Sequence, residues 1–438
     1  MATKTRQWSE LLHNRDVAII FIARLAMSTS RAIAGIAVPL YLVALGFSGL
    51  KLGVLYLAVA LFAAILSQVI GLSTNRVGAK VWMIVVPAIT VLAAVAYAES
   101  HTTWILFAFA AAGSFGRGAG AGAGMVGPYQ PAESKLLIRA VTPTERNRAF
   151  SFVSIASTAG ALVGTALAAL LGHAHVVDSA ATALFRPSML VAAAFAAIAA
   201  IVALWIHEPA TPVATDQPRP KLFTFPRRSA WLLWRLWATN TLNGLAVGMF
   251  GTFVTYWLHR RYGASQVTIG ELYLVINIIT LASGLVAPRI AARFGTVRAT
   301  AILRVAQGLL LVPMALAPTL VIAGAIYLVR MFAQRIALPL RQSYALAMAD
   351  PEEQSQVAAL SNLPSQLAMA AAPTLTGYLF DEVSLSLPFV IGGLIQTLSA
   401  LVFWAFFRNL HPPEERHAAR TSSLPGMHDG PPMTSTAP

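Results

Sequence analysis

The chain has 438 residues, 57% of them hydrophobic and 11% charged, with a formal net charge of +14 and no cysteine. So few charges cannot cover a water-soluble body of this length, where about a quarter of residues are charged, and the lack of cysteine excludes disulfides, thiolate metal sites and cysteine nucleophiles. The positive balance would suggest nucleic acid in a soluble chain, but it falls in alternate turns between apolar runs, which points to a lipid bilayer and to no nucleic acid.

The first apolar run, 17–42, follows an opening segment with both charge signs and no small-residue cleavage pattern, so it reads as a retained spanning helix and not a cleaved signal. Five more runs, at 51–71, 82–98, 103–126, 150–171 and 188–206, approach or exceed the span of a bilayer. Residues 207–229, rich in proline and charge, read as a cytoplasmic linker. Six further runs follow at 230–258, 268–288, 299–317, 320–340, 357–378 and 386–407, and a polar, proline-rich tail from 409 reads as disordered. The expectation is an all-α polytopic membrane protein with 12 transmembrane helices in two six-helix bundles, 1–206 and 230–408, joined by the linker and followed by the cytoplasmic tail 409–438.

Lysine and arginine gather at Lys4, Arg6 and Arg15, at Arg76 and Lys80, at Lys135, Arg139, Arg146 and Arg148, around Arg227 and Arg228, at Arg293 and Arg298, and in the tail. The positive-inside rule places these turns and both termini in the cytoplasm, with the chain in the plasma (inner) membrane. The His259-Arg260-Arg261 cluster is the main exception. The chain reads as a multi-pass monomer. His173 and His175, with only Asp178 near, read as a solvated loop, and the HExxH, P-loop and GxSxG patterns are missing. No metal, cofactor or catalytic residue is expected, and the chain reads as no enzyme.

Gly46-Phe-Ser-Gly-Leu-Lys-Leu-Gly-Val-Leu-Tyr56 is echoed by Gly263-Ala-Ser-Gln-Val-Thr-Ile-Gly-Glu-Leu-Tyr273, at an offset of 217 residues. At the same offset a basic turn with Arg76, Gly78 and Lys80 is echoed by one with Arg293, Gly295 and Arg298. Pro131 precedes Pro143, and Pro339 precedes Pro351, by the same interval at an offset of 208, each pair reading as the exit from a helix into a charged connection. A direct repeat of apolar segments is the mark of a duplicated membrane transporter.

The turn Gly71-Leu-Ser-Thr-Asn75-Arg76-Val-Gly78-Ala79-Lys80 resembles the signature between the second and third helices of the major facilitator superfamily, over a resemblance that covers residues 10–408. Asn75 stands for that family's Asp and Ala79 for its Arg. Arg117, in the Gly/Ala-rich stretch 116–124, is similar to a fourth-helix motif of the drug/proton antiporter-like branch, without its usual Gln. The resemblance implies a secondary transporter working by alternating access. It further implies that the turns at Gly71, Asn75, Arg76, Gly78 and Lys80 and at Arg293, Gly295 and Arg298, with Arg335 near, form a cytoplasmic gate.

Charges inside spans are the default functional candidates, since an ion in lipid is costly unless it faces a cavity or a partner. Arg24 and Arg31 are nearly two turns apart on one face of the first helix, about 10 Å along its axis. With Arg117 and Arg330 they are candidate cavity residues, joined by the amides Asn240, Asn243, Asn277, Asn362 and Gln366. Asn240 and Asn243, three apart, share a helix face. Glu271, opposite Val54 in the repeat, is the candidate proton carrier if buried. Glu133 reads as a partner of Lys135 or Arg139.

These residues lead to a small-molecule solute as partner, with the proton as coupling ion and efflux as the first reading. Several arginines against a single carboxylate suit uptake or exchange of an organic anion, the second reading. A receptor or scaffold that keeps the fold without transport is the third.

Overall fold

The computed structural model describes residues 14–74, 77–100, 102–113, 127–142, 145–173, 183–208, 226–281, 283–350, 353, 357 and 360–410. The first half contains α1 (Arg15–Ala44), α2 (Gly49–Ser73), α3 (Ala79–Glu99), α4 (Thr103–Gly113), α5 (Gln130–Ala140), α6 (Arg146–Leu171) and α7 (Arg186–Ala203). The second contains α8 (Ala230–Gly251), α9 (Val254–Tyr262), α10 (Gln266–Leu281), α11 (Ser283–Phe294), α12 (Thr296–Leu309), α13 (Leu311–Leu316), α14 (Leu320–Ala347), α15 (Leu363–Glu382) and α16 (Leu387–Phe407). Among the described residues, eight helical segments are long and apolar enough to cross a membrane. Large apolar side chains point outward, Trp104 and Val321 being each 80% exposed, an arrangement suited to lipid and not to water.

The chain departs from the expected spans where backbone chemistry interrupts a helix. The seventh span is broken after Gly251, where Phe253 N donates to Phe250 O at 3.0 Å in a tighter turn before α9 begins. The ninth stops at Leu309, four residues before Pro313, whose ring clashes with the carbonyl at that distance. Pro131 does not mark a helix exit: it lies in the first turn of α5, where a missing N–H costs nothing, so much of the expected 132–149 connection is helical. Pro339 likewise lies inside α14, which runs seven residues past the expected end of its span.

The sequence repeat is written into the backbone. Gly46 (φ 80°) and Gly263 (φ 66°) turn the chain before the second helix of each repeat, and Gly78 (φ 96°) and Gly295 (φ 75°) stand at the N-termini of α3 and α12. Positive φ strains any residue with a Cβ, which is why glycine recurs at both copies.

The two halves meet mainly through α2 on α15 and α6 on α10, pairs that the repeat interchanges. Gly53 abuts Pro373, and a Cβ on it would lie 2.8 Å from the Thr374 Cα; its repeat partner Gly270 abuts Ala169, where a Cβ would lie 2.8 Å from the backbone nitrogen. Small residues at such crossings let backbones approach closely. Asp381, at the end of α15, accepts from Gly49 N and Leu50 N at 2.8 Å each and so caps α2 from the opposite half. Gln266 at the start of α10 donates from Nε2 to Ala168 O (2.7 Å) and Ser188 Oγ (2.8 Å).

This end of the molecule holds one continuous apolar core drawn from both halves, with Tyr56 packed edge-on against Phe253 at 5.5 Å between ring centres. Towards the basic turns the cores separate. Val17, Ile20, Met83 and Leu137 belong to one cluster confined to the first half, and Leu232, Leu236, Phe403 and Phe407 to another confined to the second.

Candidate functional site

Arg24 and Arg31 both face the segment 127–133, as their spacing on α1 requires. Arg24 Nε donates to Glu133 Oε1 at 2.8 Å and its Nη2 donates to Glu133 Oε2, while the guanidinium lies over the Tyr129 ring, 5.2 Å from its centre. Both partners are only 3% exposed. Glu133 therefore pairs with Arg24 and not with Lys135 or Arg139: Lys135 Nζ reaches Thr74 O (2.8 Å) and Arg139 reaches Glu208 (3.4 Å). Arg31 is different. Its Nε and Nη2 are buried without a hydrogen-bond partner among the described residues, beside Gly127, where a Cβ would lie 2.8 Å from the Arg31 Cζ.

In the second half Arg330 is fully buried, with Nη2 donating to Gln396 (3.0 Å), Nη1 donating to Gln334 (3.3 Å) and the guanidinium 3.8 Å from the Phe250 ring centre. Gln396 continues the network to Gln307 at 3.3 Å. Asn240 and Asn362 converge on a residue not anticipated from the sequence, Arg341. Its Nη1 donates to Asn240 Oδ1 at 2.9 Å and its Nη2 to Asn362 Oδ1 at 3.5 Å. Asn240 Nδ2 donates in turn to Ser361 O (2.9 Å).

The remaining candidates scatter. Asn277 is buried with both amide atoms unpartnered among the described residues, Asn243 is partly exposed and Gln366 is exposed. Glu271 lies on an exposed face, so the burial on which its proton-carrier role depended is not met. Arg117, Asn75 and Arg76 lie outside the described residues. Lys80 enters the expected gate through its backbone: Ala79 N and Lys80 N donate to Glu208 at 3.0 and 2.7 Å, a carboxylate cap supplied from the start of the linker. Gly71 is exposed, Arg335 is partly exposed in α14, and Arg293 and Arg298 are exposed around Gly295. In the turn before α6, the Thr142 hydroxyl donates to Glu145 at 2.7 Å, which together with the Thr142 N–H holds that carboxyl below its usual range.

Residues 20–334 match the family described as the Major Facilitator Superfamily. The chain belongs to the Major Facilitator Superfamily. No curated protein matches it in sequence. Among solved structures it is similar to the nucleoside transporter NupG, at 17% identity and a TM-score of 0.68, covering 90% of this chain and 99% of that one. It is also similar to a D-xylose-proton symporter, at 14% identity and a TM-score of 0.66, covering 90% of this chain and 98% of that one. A third is a bacterial homolog of the human lysosomal transporter Spinster, inward-facing and occupied, at 15% identity and a TM-score of 0.65, covering 90% of this chain and 96% of that one. At these identities the likeness establishes the fold.

As a superfamily member the chain is a multi-pass membrane transporter of small-molecule solutes and not an enzyme. Within the superfamily fold its two halves treat one position differently. Glu133 and Arg341 each stand two residues after the repeated prolines, Pro131 and Pro339. Each is bonded to the first helix of its own half, Glu133 to Arg24 and Arg341 to Asn240. The first half thus holds a neutral ion pair, whereas the second holds a cation bonded to amides. The only trace of this in the sequence is the shared offset from proline.

Proposed function

We propose that this protein is a secondary active transporter that moves a small organic solute by alternating access, with residues 1–206 and 230–408 acting as two rigid bundles. The observation that carries the reading is the fused core and interlocked glycines at the Gly46/Gly263 end, against separate cores toward the basic turns. Two bodies joined at one end and parted at the other can rock about a central site. With the basic turns in the cytoplasm of the plasma membrane, this conformation opens inward. The proposed solute contacts are centred on Arg31, and efflux driven by proton exchange is the direction tested first. In proteoliposomes with an imposed pH gradient, solute flux coupled to proton movement supports the proposal, and Arg31→Ala abolishes that flux. No flux of any solute across a broad panel would overturn it in favour of a receptor or scaffold.

Uptake or exchange of an organic anion is a second reading, favoured by the buried Nε and Nη2 of Arg31, which have no partner among the described residues. A buried cation without a carboxylate is relieved by an anionic ligand. Thermal stabilisation by carboxylated or phosphorylated solutes, with none by lipophilic cations, would rank this reading first.

A further inference from the structure

Three helices of the second half, α8, α14 and the start of α15, bring together Asn240, Arg341 and Asn362. The guanidinium of Arg341 is gripped by two amide oxygens, which orient it without neutralising it. Among the described residues no carboxylate pairs with Arg341. Arg304 on α12 likewise has no carboxylate partner among the described residues: its Nη2 reaches Ser399 Oγ at 3.3 Å and its Nη1 is buried without a partner there. Among the described residues neither cation has a carboxylate counter-charge. The equivalent place in the first half is neutralised by the Arg24–Glu133 pair.

A guanidinium has five N–H groups in a planar fork. Two are taken by the asparagines, which leaves three, including Nε–H, in a plane suited to a two-oxygen acceptor. Arg341 is partly exposed, and it lies six residues, about 9 Å, before the end of α14 at Ala347. From these features we infer that Arg341, oriented by Asn240 and Asn362, is the docking group for the carboxylate or phosphate of an anionic solute, on the side of the second bundle that opens toward the basic turns. The inference rests on the transport reading for its role in transport, but binding can be measured without transport.

The test uses the full-length chain purified in detergent, with succinate and inorganic phosphate as oxyanion probes and tetraphenylphosphonium as the cationic comparison. Wild type is expected to gain thermal stability with one of the two oxyanions and none with the cation; whichever oxyanion acts names the ligand group. Arg341→Gln is expected to weaken that anion's binding at least tenfold, and Arg341→Lys, which keeps the charge and loses the fork, to weaken it less. Asn240→Asp is the decisive variant because it places a carboxylate against Nη1 and rebuilds in the second half the neutral pair of the first. It gives up the Asn240 Nδ2 bond to Ser361 O in exchange for that ion pair and should abolish the anion effect, and as a folded variant it remains informative if Arg341→Gln fails to fold. Equal anion binding in wild type and a folded Asn240→Asp variant, or no oxyanion effect on wild type, would overturn the inference. Absence of an oxyanion effect in wild type with its solute flux intact counts against the site alone, and an oxyanion effect in wild type without flux counts against transport alone.

Discussion

Arg24 on α1 and Glu133 on α5 are joined through both carboxylate oxygens in a dry interior, with the Tyr129 ring against the guanidinium. The pair ties the first helix of the fold to the segment that carries Gly127 and Tyr129, and so sets the surroundings of Arg31. Removing one partner leaves the other charged and buried, so Glu133→Ala is expected to cost about 3–5 kcal/mol. The readout is the melting temperature of the purified protein. Exchanging both residues for apolar ones, Arg24→Met with Glu133→Leu, should recover most of that loss, and an unchanged melting temperature in Glu133→Ala would contradict the pairing.

The contact of Gly53 with Pro373 leaves no room for a side chain. Gly53→Leu should therefore disfavour the closed Gly46/Gly263 end and, if the halves rock as rigid bodies, draw the basic turns together. The chain has no cysteine, so Val77→Cys and Phe294→Cys, at repeat-equivalent exposed positions, can carry spin labels without background. A shorter label-to-label distance in the Gly53→Leu protein is the expected result; an unchanged distribution would show that the contact does not control the conformation.

Asp381 supplies across the interface what a helix N-terminus usually takes from its own capping residue. Asp381→Ala leaves two amides of α2 without their acceptor, a loss of about 0.5–2 kcal/mol by analogy with ordinary N-caps. Hydrogen exchange at Gly49 and Leu50 should accelerate by roughly the corresponding factor, up to about tenfold per 1.4 kcal/mol, while α5 and α7 remain as protected as in wild type.

Arg31 and Arg330 should separate in a single experiment. Arg330 is fully buried over Phe250 with Nη1 and Nη2 bonded to amides, so Arg330→Ala leaves a void and unpaired amides and should cost about 3 kcal/mol or more. The Nε and Nη2 of Arg31 have no hydrogen bond to lose among the described residues, and removing an uncompensated buried charge offsets the void it leaves, so Arg31→Ala should cost less stability than Arg330→Ala while removing transport. Equal destabilisation by the two changes would reassign Arg31 to the structural framework.

What could be read from the chain alone were the features imposed by local physics. Apolar length marks a spanning helix whatever its neighbours, and positive φ demands glycine at Gly46, Gly78, Gly263 and Gly295 in both copies. The shared face of Arg24 and Arg31 followed from helical periodicity alone. The expected exit at Pro131 failed because proline is equally at home in the first turn of a helix, a choice that local sequence leaves open, and that at Pro339 failed because α14 continues through the proline.

Sequence by itself therefore determined the membrane setting, the duplication and the turns between helices, because each depends on contacts within a few residues or on solvation of one segment. The tertiary structure decided the partners: Glu133 for Arg24 across 109 residues, Asn240 for Arg341 across 101, and Asp381 for the start of α2 across 332. It also left Glu271 exposed and drew Arg341 into a polar cluster beside Asn240 and Asn362. Whether a charge is neutralised, merely oriented or left bare depends on which distant helix packs against it, and that packing is settled only when the whole chain has folded.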